Sequence, residues 1–311
     1  KELLESSGHT VIPFCMAHDN NLESDFSQYF VDEVDYGKRG LVNKIISSSK
    51  VIYSFDARDK IKRVLDAYDV DVSHFHIFQH QISPSVFSPI KSKGIPIILT
   101  LHDLKPLCPN YKMYVKLNVC EQCKGHKYYH SVLNKCNQNS FLKSSVNTVE
   151  MYFHNWMGYY KNVDAYIAVS NFYRSKMIEY GFHEDKVHYL PNYVSTEGFD
   201  PSMEDHGYVL YFGRLSSEKG IMTFLKAAAI NSQIDHYVVG TGPLETEIRE
   251  YCGEKALKNV HILGFKSGPE LKKLINQSAC TVIASEWYEN CPMSVLESYA
   301  AGRLVIGSNI G

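Results

Sequence analysis

Ala284-Ser-Glu-Trp-Tyr-Glu-Asn-Cys-Pro-Met-Ser-Val-Leu-Glu-Ser-Tyr-Ala-Ala-Gly302 joins a strand end, a polar loop and a helix. The apolar run Cys280 to Ala284 reads as a buried strand, and the loop after it carries Glu286, Glu289 and Asn290. Pro292 suits the first residue of a helix, because its ring fixes φ and its missing N–H is not needed there. Gly302 closes that helix as a C-terminal cap. A strand that passes through a ligand-facing loop into a helix N-terminus is a building unit of an α/β sheet. Free backbone N–H groups at such a start suit anions or sugar hydroxyls. Glu289 and Glu297 flank it with seven residues between them, and a carboxylate accepts well from a diol. Taken alone, two solvated glutamates on an ordinary crossover would account for the same pattern.

Upstream, the second half of the chain repeats this unit. Strands are expected at Tyr208 to Phe212, His236 to Gly240, Val260 to Leu263, Cys280 to Ala284 and Leu304 to Gly307, alternating with four helical patterns. In such sheets ligands bind outside the carboxyl ends of the strands. The loop Gly213-Arg-Leu-Ser-Ser-Glu-Lys-Gly220 lies at one of these ends. Arg214 and Lys219 offer a planar fork of donors and a compact charge, a pairing suited to a diphosphate. On its own this loop is as readily a charged surface turn. Gly240-Thr-Gly-Pro-Leu-Glu245 brings backbone close to a ligand through Gly240 and Gly242, but lacks the third glycine of a dinucleotide fingerprint. Phe265, after Gly264, is placed to abut a base, or else to fill a core.

The first half alternates too. A helix end at Leu3 and Leu4 leads to a strand at Thr10 to Phe14, and a loop-rich stretch runs from His18 to Lys38. Helical patterns follow at Leu41 to Ser48 and Asp56 to Tyr68, then strands at Val72 to Phe78 and Ile95 to Leu101. After an irregular Cys-bearing insertion, about 104–138, a long helix is expected from Asn139 to Tyr160. It is followed by strand Ala165 to Val169, helix Asn171 to Tyr180 and strand Lys186 to Leu190. The rhythm indicates an α/β protein with parallel sheets. Two domains are expected, 1–195 and 207–311, joined by a linker at 196–206.

Of the 311 residues, 44% are hydrophobic and 21% charged, and the formal net charge is -2. That balance argues against nucleic acid as the main partner. No apolar run approaches the roughly 18 residues that span a bilayer. The stretch Lys1 to Gly8 reads as the end of a helix and Leu304 to Gly311 stops just after a strand, so a chain cut at both ends is expected.

Phosphate-binding cations, a ribose-binding carboxylate and a sugar-binding helix start together describe a sugar-nucleotide pocket. Four elements resemble the family 4 retaining glycosyltransferases, which have the two-Rossmann-domain GT-B fold with sheets facing across a cleft. These are Phe212-Gly-Arg-Leu-Ser-Ser-Glu-Lys-Gly220, Val239-Gly-Thr-Gly-Pro243, Leu99-Thr-Leu-His-Asp103, and the Glu289 and Glu297 pair followed by Ala300-Ala-Gly302. The similarity runs from about Gly94 to Gly311 and is strongest after Tyr208. It implies a first domain on the acceptor side and a second that binds the donor. Arg214 and Lys219, beside Gly213, would hold the donor diphosphate. Glu297 would bind the ribose, and Glu289 with the backbone of Asn290, Cys291, Pro292 and Met293 would hold the donor sugar. Gly240, Gly242 and Phe265 would line the nucleotide, and His102 would face the sugar.

By the same resemblance no cofactor is required, the donor is of the UDP or GDP type, and configuration is retained. The acceptor is a glycan or lipid-linked, in cell-surface polysaccharide synthesis, with a cytoplasmic location and peripheral association at the inner face of the membrane. The family's opening Gly-rich loop is not found, and its Pro-Asn-Gly-Val is Pro191-Asn-Tyr-Val194 here. Separately, Cys108, Cys120, Cys123 and Cys136, with His126 and His130 nearby, have spacing compatible with a structural zinc, or are four unlinked thiols. A zinc-stapled module without catalysis and a nicotinamide-dependent oxidoreductase are the alternative functions.

Overall fold

The computed structural model describes residues 1–33, 49–79, 81–201 and 204–311. They form two compact units. The first comprises Lys1–Tyr111, Gln122–Ala168 and Arg174–Tyr189, and the second Lys112–Glu121, Val169–Tyr173 and Leu190–Gly311. The units interleave along the chain, where the sequence suggested a single crossing at 196–206.

The first unit opens with helix α1 (Glu2–Ser6). The strand expected at Thr10 to Phe14 does not form; an isolated parallel bridge joins Met16 to Val31 instead. Pro13 lies inside that run and has no N–H to give a ladder. The helix expected at Leu41 to Ser48 lies outside the described residues. Helix α2 (Phe55–Ala67) starts where the Ser54 hydroxyl accepts from the Ala57 N–H at 3.1 Å, a side-chain N-cap. It buries Ala57, Ile61, Val64 and Leu65, the spacing of one helical face.

Strand β1 (Ser73–Phe75), helix α3 (Phe87–Ser92) and strand β2 (Ile97–Leu101) follow. The short strands β3 (Tyr114–Val115) and β4 (Asn118–Val119) pair antiparallel as a hairpin of the second unit. Helix α4 (Tyr129–Leu133) and helix α5 (Phe141–Trp156) return to the first unit, and α5 stops at Met157, before Gly158 with φ 66°. A glycine in the left-handed region ends a helix readily, so α5 is shorter than the expected Asn139 to Tyr160. Strand β5 (Ala165–Ala168), helix α6 (Asn171–Glu179) and strand β6 (Val187–Tyr189) complete the half. The sheet order is β1-β2-β5-β6, with every pair parallel.

The second unit alternates strand and helix throughout. Strand β7 (Val209–Phe212) leads to helix α7 (Ile221–Ile230), β8 (His236–Val239) to α8 (Glu245–Glu254), and β9 (Val260–Gly264) to α9 (Gly268–Asn276). Strand β10 (Cys280–Ile283), helix α10 (Met293–Ala300) and strand β11 (Leu304–Gly307) close it. All strands are parallel in the order β11-β10-β7-β8-β9. Alternate residues of β7 and β8 feed opposite cores. Tyr211 and Val238 pack with Leu215, Phe224 and Ile248, whereas Leu210 and Val239 pack with Ile275 and Ala301. A parallel sheet buried on both faces needs apolar residues of both parities. The protein is therefore α/β with two Rossmann-like parallel sheets.

Helix α10 differs from expectation by one residue. Pro292 is its N-cap, with ψ 126°, and Met293 is its first helical residue. At the other end Gly302 (φ 66°) donates to Tyr299 O and Arg303 N–H returns to Ser298 O at 2.8 Å, a Schellman closure.

Candidate active site at the carboxyl edge of the second sheet

From β7 the chain builds outward through β8 to β9, then returns to lay β10 on the opposite side of β7. This reversal between β7 and β10 is a topological switch point, the place where such sheets bind ligands beyond the carboxyl ends of their strands. The loops leaving these two strands are 213–220 and 284–292. Glycine lets them approach. A Cβ on Gly220 would lie 1.7 Å from the Ala284 carbonyl oxygen, and one on Gly240 would lie 1.9 Å from that of Gly213. Gly242 meets Leu215 O in the same way, at 2.3 Å. Backbone bonds lock the contact, with Glu286 N–H donating to Glu218 O at 2.9 Å and Leu215 N–H to Thr241 O at 3.0 Å.

Glu289 collects the polar side chains of this junction. Its Oε1 accepts from Lys219 Nζ at 2.6 Å, Ser285 Oγ at 2.5 Å and Trp287 Nε1 at 2.9 Å. The Lys219 ammonium also lies 5.0 Å from the centre of the Trp287 ring, within cation–π range. The pair is largely sheltered, with side-chain exposures of 28% for Lys219 and 13% for Glu289. Sheltered charges attract more strongly than solvated ones and are costly to strand. Beneath them the Tyr211 hydroxyl donates to Arg214 O at 3.0 Å. Burial, then the charges of Glu289 and Glu218, pushes the Tyr211 pKa up.

The hairpin strands β3 and β4 brace the same loops from within the second unit. Lys112 Nζ donates to Glu218 Oε1 at 2.9 Å, and Tyr114 OH donates to Glu286 Oε2 at 3.3 Å. Thr223 Oγ1 gives Glu286 Oε1 a further bond at 2.8 Å, and Tyr288 OH donates to Glu121 Oε1 at 2.6 Å. Burial raises the Glu218 pKa, but hydrogen bonds from Lys112 and from backbone outweigh it and hold the carboxyl below its ordinary range. Burial and the charges of Glu286 and Glu218 push Tyr114 up to about 12, so it remains a donor at neutral pH.

The remaining expected residues sit around this junction. Arg214 is exposed in the β7 loop, and Phe265 is 69% exposed just past β9; Phe265 is thus no core residue. Asn290 Oδ1 accepts from Ser170 Oγ at 3.2 Å, and Cys291 O accepts from Asn192 Nδ2 at 3.1 Å. Met293 is exposed at the start of α10, and Glu297 is half-buried one turn on. Burial raises the Glu297 carboxyl pKa, and Lys272 opposes the shift. Sequence reasoning missed Trp287, Ser285, Lys112, Tyr114 and Glu121. Trp287 and Ser285 stand inside the quoted stretch, and their indole N–H and hydroxyl beside Glu289 were the signal available.

His102 lies in the first unit, directly after β2. Its Nε2 is 2.8 Å from His76 Nδ1, and the two rings stack at 5.1 Å. Such a bond needs one N–H and one lone pair, so the pair cannot be fully protonated and keep it. Burial, with a neighbouring histidine, lowers both pKa values.

Of the four thiols, Cys108, Cys123 and Cys136 belong to the first unit and Cys120 to the second. Among the described residues no group of three or more His, Cys, Asp or Glu is arranged to hold a metal ion.

Comparison with known proteins bears on the whole chain. Residues 1–197 match the family model Glycosyltransferase Family 4, and residues 199–311 match Glycosyl transferases group 1. An uncharacterized 42.6 kDa protein in the cps region of Klebsiella pneumoniae is 23% identical over 276 residues, covering 88% of this chain and 66% of that protein. The alpha-D-kanosaminyltransferase of Streptomyces kanamyceticus is 26% identical over 113 residues, 35% of this chain and 29% of its own length. The chain thus spans less than two thirds of the curated relatives it matches.

Among solved structures, a glycosyltransferase from Rickettsia africae superposes with TM-score 0.58 at 19% identity, over 100% of this chain and 74% of that one. Anabaena HepE in complex with UDP gives 0.57 at 15% identity, over 81% and 63%. These likenesses establish the fold. The family model spanning the first 197 residues, joined to the group 1 model over the rest, shows that this chain belongs to glycosyltransferase family 4.

Proposed function

We propose that the protein transfers a sugar from a nucleoside-diphosphate sugar to a glycan or lipid-linked acceptor with retention of configuration. The setting is cell-surface polysaccharide synthesis, at the cytoplasmic face of the membrane. What carries the reading is the meeting of Lys219 with Glu289 at the switch point, with the desolvated Glu297 one helix turn beyond the loop. A cation there neutralises a diphosphate, and the loop and helix start after Glu289 offer donors and acceptors to a hexose. HepE is crystallised with UDP and with UDP-glucose, which makes UDP the nucleotide to test first. The cps-region relative supports the polysaccharide setting.

In this reading Arg214 and Lys219 hold the diphosphate without a metal, and Glu297 accepts from the ribose hydroxyls. Glu289 and the backbone of Asn290, Cys291 and Met293 hold the sugar. Gly240 and Gly242 let backbone approach the nucleotide, with Phe265 against the base. The bond from sugar C1 to the diphosphate breaks, the acceptor oxygen joins C1 on the same face, and the acceptor proton passes to the departing phosphate oxygen.

Isothermal titration with UDP, GDP and NAD tests the donor assignment. UDP or GDP should bind, and Glu297→Gln should weaken that binding by about tenfold, the worth of one good hydrogen bond to a charged group. Binding of NAD alone would favour an oxidoreductase and sink the proposal. Unchanged nucleotide affinity in Glu297→Gln would move the ribose elsewhere.

A further inference from the structure

Helix α5 is built inside out. Its buried residues are Ser144, Asn147, Thr148, Glu150, Met151 and His154, five of them polar. Its solvent face carries Leu142, Val149 and Trp156 at seven-residue intervals, 76%, 55% and 81% exposed, with Tyr152 beside them at 40%. An ordinary surface helix has the opposite arrangement. Helix α4 lies along it, tied by the Tyr128 and Tyr152 rings at 5.1 Å and by Thr148 Oγ1 donating to Tyr128 O at 3.3 Å. That helix adds exposed Tyr129 and Leu133, at 49% and 69%. A continuous apolar patch rimmed by polar groups marks a docking surface.

The charge around the stripe says what docks. Between residues 122 and 162 the chain has five lysines, all of them exposed, and no arginine. Lys124 pairs with Glu179 at 2.6 Å, and Lys143 donates to Gln138 Oε1. The single acid in this range, Glu150, is fully buried against Lys105 at 2.7 Å. A protein of net charge -2 therefore presents a lysine-rich rim here, with the exposed Glu179 against Lys124. A second copy docked face to face would set lysine against lysine, an arrangement that like charges disfavour. Negative lipid headgroups over an acyl layer satisfy both features, and aromatic rings sit well at that boundary.

We propose that α4 and α5 form a membrane-docking surface for anionic lipid bilayers. The α5 stripe enters the boundary between headgroups and acyl chains, and Lys127, Lys135, Lys143 and Lys161 meet lipid phosphates. This deepens the membrane-side part of the proposed function and is independent of the donor assignment.

Flotation with vesicles tests it, using pure phosphatidylcholine and phosphatidylcholine containing about a third phosphatidylglycerol, at about 0.1 M and about 0.5 M salt. The chain should float with the anionic vesicles at low salt, less at high salt, and little with the neutral ones. The double variant Val149→Ser, Trp156→Ser and the double variant Lys135→Glu, Lys143→Glu should each reduce the bound fraction about tenfold. Both change exposed residues, so thermal melts and UDP titration should match the parent protein, which separates this result from any failure of the donor reading. Absence of flotation, or equal flotation of the variants, overturns the proposal. So would a lipid-free dimer abolished by Val149→Ser, Trp156→Ser, which would make the face an interface between copies.

Discussion

Gly220→Ala should cost the second unit about 3 kcal/mol or more and lower its melting transition by about 10 °C. Two penalties combine. Gly220 has φ 65°, a left-handed conformation that costs a residue with a Cβ about 1–2 kcal/mol. The new methyl would also stand 1.7 Å from the Ala284 carbonyl oxygen and 2.6 Å from its carbon. That neighbour is backbone, so it can yield only if the Lys219 loop moves off the Glu289 loop. The variant should therefore lose the junction as well as stability, and nucleotide titration should show it even where the protein remains folded. Gly253→Ala is the control. That glycine lies within α8, has no neighbour within 4 Å and has no unusual φ, so alanine should be neutral or stabilising by about 0.5–1 kcal/mol. Equal melting curves for Gly220→Ala and the parent protein would show that the loops are not in contact.

Lys219→Ala should lower kcat and kcat/KM together by about 10²-fold or more, measured as nucleotide released from UDP-glucose or whichever donor binds. The argument is electrostatic: a cation fixed beside a leaving diphosphate acts most on the charge that grows in the transition state. A second effect has to be separated from it. Removing the ammonium leaves the sheltered Glu289 carboxylate with Ser285 and Trp287 as its donors among the described residues, and that stranded charge would itself repel a donor phosphate. The double variant Lys219→Ala, Glu289→Gln removes the stranded charge. Glu289→Gln alone is the reference, because Glu289 itself is assigned to the sugar: if the double variant stays about 10²-fold below that single variant, the loss belongs to Lys219, and if the two match, the lysine served to neutralise Glu289. A change confined to KM would show that Lys219 binds the ground state only.

The strand and helix rhythm of the second unit was legible because parallel strands are long apolar runs between glycine-marked loops, and β7 to β11 fall where those runs do. The Thr10 to Phe14 strand failed on Pro13. The β3 and β4 hairpin was unreadable for a different reason. Its two-residue turn is Lys116-Leu117, both with positive φ (49° and 62°), where a sequence reader looks for Asn-Gly. Ion pairs across the chain were equally hidden, since nothing local in Lys112 points to Glu218. Arg214, Lys219 and Glu289, by contrast, announced themselves as charges on short loops at strand ends and Glu297 as a carboxylate on the helix that follows, but only the fold pairs Lys219 with Glu289.

The distance between Lys112 and Glu218, 106 residues along the chain, has a consequence for how the protein is made. Synthesis runs from the N-terminus, so the hairpin leaves the ribosome long before the sheet it braces, and must wait, its lysine unmatched, until β7 and its loop arrive. Cutting the gene at Leu190 to express the second half alone would remove the bonds that Lys112, Tyr114 and Glu121 make with Glu218, Glu286 and Tyr288. A useful excised half would have to carry residues 112–121 grafted back onto it.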